Sequence, residues 1–228
     1  MDSTSRLLPL FPLPMVQFPG AVTPLHIFEP RYRKLLKDVM ASDKTFGIIY
    51  RSDESDAGLG APPRGGVGCS VEVVAAEELP DGRSNILCLG SRRFRLLEYV
   101  EGEAYLQAEV EFFDDEPNLA DLTQEVEHAV SLFKRVIAAG RLLKDGGRTT
   151  AEIVDLPGDP QSLSCIVCSY LDIDVPEKQE LLQLVDTGER LRRVIALLER
   201  LVLDYERRAF IHQLSKNNGH GGPAPERF

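Results

Sequence analysis

Residues Leu7 to Met40, LLPLFPLPMVQFPGAVTPLHIFEPRYRKLLKDVM, decide how the rest of this chain is read. Two short apolar strands, Leu7–Leu10 and Met15–Phe18, are predicted before a turn at Pro19-Gly20. A third, Leu25–Phe28, ends at Glu29-Pro30. Pro30 suits the first turn of a helix, where the amide proton it lacks would have no partner. Tyr32, Leu35, Leu36, Val39 and Met40 then recur at i, i+3, i+4, i+7 and i+8, a single apolar stripe. Short strands feeding one amphipathic helix are the expectation.

Outward from that stretch, further strands are predicted at Phe46–Tyr50, Val67–Ala76, Ile86–Leu89, Phe94–Val100 and Tyr105–Phe112. Leu79-Pro80-Asp81-Gly82-Arg83 reads as a hairpin, because Asp-Gly accepts the positive φ angles of a tight turn. About seven or eight short strands at this spacing favour a closed or nearly closed sheet over a parallel α/β core. Asp114-Asp115-Glu116-Pro117-Asn118 breaks the pattern, and the period changes beyond it. Val126, Val130, Phe133 and Ile137 follow helical spacing until Gly140, and Asp145-Gly146-Gly147 reads as a loop.

Asp159 before Pro160 is a helix start. Leu163, Ile166, Val167, Tyr170 and Leu171 form the main stripe of that helix, with Cys165 and Cys168 on its opposite side. Pro176 opens the next helix, carrying Leu181, Leu182 and Val185. Asp186 and Glu189 make a capping box for the last one, striped by Leu191, Val194, Ile195, Leu198, Val202 and Tyr205. Four helices with short connections describe a bundle. The expected organisation is α+β: a β-barrel-like module with one helix over 1–113, a linker over 114–120, a four-helix bundle over 121–215 and a disordered tail over 216–228.

Apolar residues make up 43% of the chain and charged residues 27%, with a formal net charge of −10. The pI of about 5.0 opposes a phosphate backbone, and Arg92, Arg93 and Arg95 are too small a basic cluster to reverse that. No apolar run approaches the roughly 20 residues that cross a bilayer. MDSTSR carries an acid where a signal peptide is basic, so a cytoplasmic location is expected.

Several motifs in order carry a family likeness. LPLFPLP, VQFPG and PLHIFEPRYR together resemble the opening of the substrate-recognition domain of Lon-type ATP-dependent proteases. Gly90-Ser91-Arg92-Arg93-Phe94-Arg95 is similar to that family's G-x-x-R-F/Y-R strand, and Gly68 and Asp81-Gly82-Arg83 also fit. GDPQSLSCIVCSYLDI and EKQELLQLVDTGERL resemble its helical part, with Gln179, Leu181, Leu182, Arg190 and Leu191 at family positions. The likeness spans residues 7 to about 208. It implies a PUA-like β module followed by a helical bundle, a fold that binds protein substrates and performs no chemistry.

The parts of such proteases that do chemistry are not in this sequence. Gly60 and Gly65 have the spacing of a phosphate-binding loop, but Gly66 and Val67 stand where Lys and Ser/Thr are required. Pro62 and Pro63 also remove amide donors from GLGAPPRGG, which reads as a surface loop. The expectation is a stand-alone, bacterial-type member of the family without ATPase or peptidase domains.

No other constellation points to catalysis or a metal. Cys165-x-x-Cys168 would need Cys69 and Cys88 to complete a zinc site, and all four cysteines fall within apolar elements. His26, His128, His212 and His220 form no H-E-x-x-H, and no G-x-S-x-G is present. Asp53-Glu54-Ser55-Asp56 lacks the ligand order of a calcium loop. An enzyme would need a cleft gathering His26, Glu29 and Cys69.

The resulting expectation is a polypeptide-binding protein with no catalytic residue, metal or cofactor. Its peptide-binding residues are taken as His26, Phe28, Glu29, Arg31 and Tyr32, bordered by the Ser52–Gly66 loop. Leu25 and Ile27 face one side of their strand and His26 and Phe28 the other, and one face must be core. Expected partners are unfolded or extended polypeptide segments, captured at a free sheet edge, with a protease or chaperone as a further candidate. The rival reading is a small-molecule or RNA binder on a PUA-like barrel, which the acidic balance disfavours where RNA is concerned.

Overall fold

The computed structural model describes residues 5–51, 61–117, 120–145 and 156–217. Residues 52–60 with their acidic cluster, the 146–147 loop, His220 and the tail beyond 217 lie outside the described residues. The chain is α+β. Strands β1 (Arg6–Leu13) and β2 (Val22–Ile27) precede helix α1 (Pro30–Met40). Strands β3 (Thr45–Tyr50), β4 (Val67–Glu78), β5 (Ser84–Val100) and β6 (Gln107–Phe113) follow. Helices α2 (Thr123–Asp145), α3 (Pro160–Tyr170), α4 (Val175–Gln183) and α5 (Thr187–Asn217) complete it.

The six strands run in the order β2-β5-β4-β3-β1-β6, and β6 also pairs with β5. The pairing β5-β4-β3-β1-β6 thus returns to its first strand, with β2 outside the ring on the first half of β5. Leu8, Leu10, Phe94, Leu96, Ala108 and Val110 fill one apolar cluster of the sheet. Helix α1 covers another, pressing Tyr32, Leu35, Leu36 and Val39 against Phe11, Ile27, Phe46 and Val71. Its predicted stripe holds except at its end, where Met40 is exposed.

Two strand predictions are corrected. Met15–Phe18 forms no strand. Pro14 and Pro19 bracket it without amide donors, and Gln17 occupies nearby backbone acceptors, its Nε2 donating to Ala21 O at 2.8 Å and Phe18 O at 3.1 Å. Val16 and Phe18 are instead buried among helical residues. Ile86–Leu89 and Phe94–Val100 are parts of one strand of 17 residues. The intervening Gly90 lets the chain pass beneath Phe18, whose carbonyl oxygen would lie 2.1 Å from a Cβ there. Tyr105 precedes β6, its hydroxyl donating to Asp38 at 2.9 Å.

The helices begin where their caps predict and end less predictably. Asp159 accepts from Ser162 N at 2.8 Å and Asp186 from Glu189 N at 2.9 Å. Gly140 does not stop α2, which runs on to Asp145 with Tyr205 of α5 packed at the glycine. On α3 the expected faces are exchanged in part. Cys165 and Cys168 are buried with Leu163 and Val167, while Tyr170 is 56% exposed.

Sheet and helices are joined by a buried ionic cluster. Asp115 meets Arg93 of β5 and Arg190 of α5, and all three side chains are at most 3% exposed. Arg190 Nε donates to Ser164 Oγ at 2.9 Å and its Nη1 to Leu184 O at 2.8 Å. Arg93 donates to Leu182 O at 3.0 Å, and Thr187 to Asp115. Gln179 adds a bond from α4 to Val67 O at 2.8 Å. Arg93, Gln179 and Arg190, singled out by family likeness, therefore lock the two halves together.

Candidate functional site

Alternation along β2 sends Thr23, Leu25 and Ile27 inward and Val22, Pro24 and His26 outward. Pairing extends that outer face across three strands. Val22 lies opposite Leu89 and Glu72, Pro24 opposite Leu87 and Ala75, and His26 opposite Asn85 and Glu77. Val22 is 59% exposed, Phe28 58%, Leu87 42% and Leu89 36%. A shallow concavity of about 480 Å³ lies over Pro24, His26, Ala75, Asn85 and Leu87. Pro24, Ala75 and Leu87 give it an apolar floor, with Glu77 on the β4 side.

Among the described residues β2 pairs only with β5, which leaves one edge of this surface open. Pro24 sits in the middle of that edge and removes one donor from its row of backbone groups. A full backbone ladder with an added strand would therefore be interrupted there.

The five residues expected to bind peptide are divided by the structure. His26 and Phe28 share the outer face, their rings 6.0 Å apart and nearly parallel at 26°. The His26 ring is held by Asn85, Nδ1 lying 2.8 Å from Oδ1. Glu29 and Arg31 pair with each other at 2.8 Å across the strand-to-helix junction. Tyr32 is buried, its ring 3.9 Å from that of Phe11, and the Arg31 guanidinium lies over it at 4.6 Å. Burial pushes the Tyr32 phenol above its ordinary pKa.

Leu87 and Leu89 are surface residues that the sequence reading did not single out. Their signal was the run Ile86-Leu87-Cys88-Leu89, apolar on both faces of a strand that has only one face in the core.

His26 and Cys69, which an enzyme reading would place in one cleft, lie in different environments. His26 is on the surface, whereas Cys69 has no exposed area and burial pushes its thiol pKa up. Among the described residues, no three His, Cys, Asp or Glu side chains converge as a metal site. No described helix is long and apolar enough to cross a membrane.

Residues 7–200 match the family model for the ATP-dependent protease La (LON) substrate-binding domain. The chain is 27% identical over 200 residues to a Lon protease of Anaeromyxobacter dehalogenans, covering 87% of this chain and 24% of that one. A Lon protease of Syntrophus aciditrophicus is 28% identical over 199 residues, covering 85% and 25%. The chain therefore spans about a quarter of the length of these relatives. Among solved structures, the Lon N-terminal domain protein from Xanthomonas campestris matches with a TM-score of 0.58 at 26% identity, covering 84% of this chain and 98% of that one. The N-terminal domain of the Mycobacterium avium complex Lon protease has a TM-score of 0.61 at 20% identity, covering 85% and 98%, a likeness of fold.

Proposed function

The chain belongs to the family of the ATP-dependent protease La (LON) substrate-binding domain, and from that membership we propose that the outer face of β2 and β5 binds extended apolar polypeptide segments. The observation that carries this reading is the contiguous exposure of Val22, Pro24, Phe28, Leu87 and Leu89 on one sheet face. Contiguous apolar patches on a protein surface commonly mark a place that something covers. The part played by residues 7–200 is capture, without chemistry. The sheet serves as a barrel-like, PUA-like module, the helices as a bundle that supports it, and a protease or chaperone takes over the captured chain.

Phe28→Ala tests the reading directly. Binding of an N-terminally fluorescein-labelled decapeptide ending in Leu-Ala-Leu, followed by anisotropy, should weaken several-fold while stability stays within about 0.5 kcal/mol, as for a surface change. A large loss of stability with unchanged affinity per folded molecule would remove Phe28 from the site. Repeating the titration across salt separates the rival, since RNA binding through phosphates gives a steep slope and apolar peptide binding does not.

A further inference from the structure

A second concavity, of about 310 Å³, opens where the sheet meets the helices. The chain between β1 and β2 forms one wall, and α3 and α4 form the other. Val22, Ile166, Tyr170, Ile173 and Val175 give its lining an apolar part, Gln17, Thr23 and Ser169 a polar part, and Lys178 is the cation among them. At Gly20 the walls are close, since a Cβ there would lie 2.8 Å from Ile166 Cδ1.

Lys178 is half-buried in this cleft, and its amine donates to Ser169 O at 3.3 Å. Among the described residues Asp172 is the carboxylate that favours its charged form, without forming a salt bridge with it, although the chain as a whole is acidic with a net charge of −10. A partly buried cation without a counter-ion in contact is costly, and an arriving anion offsets that cost. Burial accordingly holds the amine below the ordinary lysine pKa, opposed only in part by Cys168 and Asp172. The cleft is also continuous with the surface already described. Val22 lines the cleft and Pro24 the shallow concavity, two residues apart on the same face of β2.

We infer that this cleft receives the free C-terminal carboxylate of a bound polypeptide, with Lys178 as its counter-ion and Val22, Ile166 and Tyr170 against its last apolar side chains. The inference rests on polypeptide binding along β2 and gives it a direction. The captured chain runs from Phe28 toward Val22, antiparallel to β2, and ends near Val22. Six residues of strand separate those positions by roughly 20 Å, which a decapeptide spans with ease.

The test compares the labelled decapeptide in its free-carboxylate and C-terminally amidated forms, on the native chain and on Lys178→Gln, Lys178→Arg and Phe28→Ala. The native chain should prefer the carboxylate form by roughly tenfold, the scale of a charge-assisted hydrogen bond in a partly buried site. Lys178→Gln should bring the two forms to equal affinity, and Lys178→Arg should keep a preference. Phe28→Ala should weaken both forms and leave their ratio unchanged. A lysine that only caps the end of α3 would lower the melting temperature in Lys178→Gln and leave the ratio as it was, which overturns the inference. Equal binding of the two forms to the native chain overturns it too, with polypeptide binding left standing. Binding of neither form overturns both.

Discussion

Asp115 holds Arg190 through both of its carboxylate oxygens, tying the chain just after β6 to the first turn of α5. Arg93 reaches the same carboxylate from β5, so one acid serves two buried cations. Asp115→Asn would leave both guanidinium groups without their counter-charge. The expected loss is about 3–5 kcal/mol, the usual cost of breaking a buried pair from one side. Urea unfolding of the variant beside the native chain measures it.

The same carboxylate gives stability a defined pH dependence. Burial raises its pKa, but hydrogen bonds from Arg190 and Thr187 outweigh burial and hold it below the ordinary aspartate value. Its contribution is complete above roughly pH 4, where an unfolded aspartate is ionised, and is lost as pH falls through the lower folded value. Unfolding free energies measured across that acid range should fall less steeply in Asp115→Asn than in the native chain.

Tyr32 and Phe28 lie four residues apart and should respond oppositely to truncation. Tyr32→Ala empties a core position against Phe11 and should cost about 3–5 kcal/mol. Phe28→Ala removes an exposed ring and should leave the melting temperature nearly unchanged. Thermal denaturation of the two variants under one buffer decides the matter.

Gly90 should tolerate no side chain. A Cβ would stand 2.1 Å from the Phe18 carbonyl oxygen, so Gly90→Ala must push the Met15–Phe18 segment away from β5. A penalty of about 1–3 kcal/mol or more is expected, as for other overpacked sites, and chemical denaturation reads it.

The four cysteines are all buried and form no disulfide. Burial pushes each thiol pKa up, that of Cys88 to about 12, so little thiolate is present at neutral pH. A thiol reagent should react slowly with the native chain and count four rapidly in denaturant. Fast reaction in the native state would show that these sites open.

Features governed by near neighbours in the chain were legible in the sequence. The α1 stripe, Pro30 at its start, the Asp159 and Asp186 caps and the Asp81-Gly82 hairpin all depend on residues a few positions apart. What escaped depends on distant partners. The strand expected at Met15–Phe18 is undone by Gln17 and the burial of Phe18 among helices. Arg93, inside β5, is buried against Asp115, 22 residues on. The inward face of α3 follows from where α5 lies rather than from its own apolar pattern. At the surface, alternation separated His26 and Phe28 from Leu25 and Ile27, but only α1 packed on Ile27 fixes which pair is core.

Because β5 serves both β2 and the strand ring, a pull on β2 has a defined load path. Six residue pairs, Val22–Leu89 to Ile27–Ser84, join β2 to the first half of β5. A force along the strands loads those pairs together, in shear. A force across them opens the pairs one after another, beginning at an end. The second half of β5 is held by β6, and Arg93 anchors it to the helices. Tension applied lengthwise therefore passes through β5 into the whole molecule, and the surface resists a pull in one direction far better than in the other.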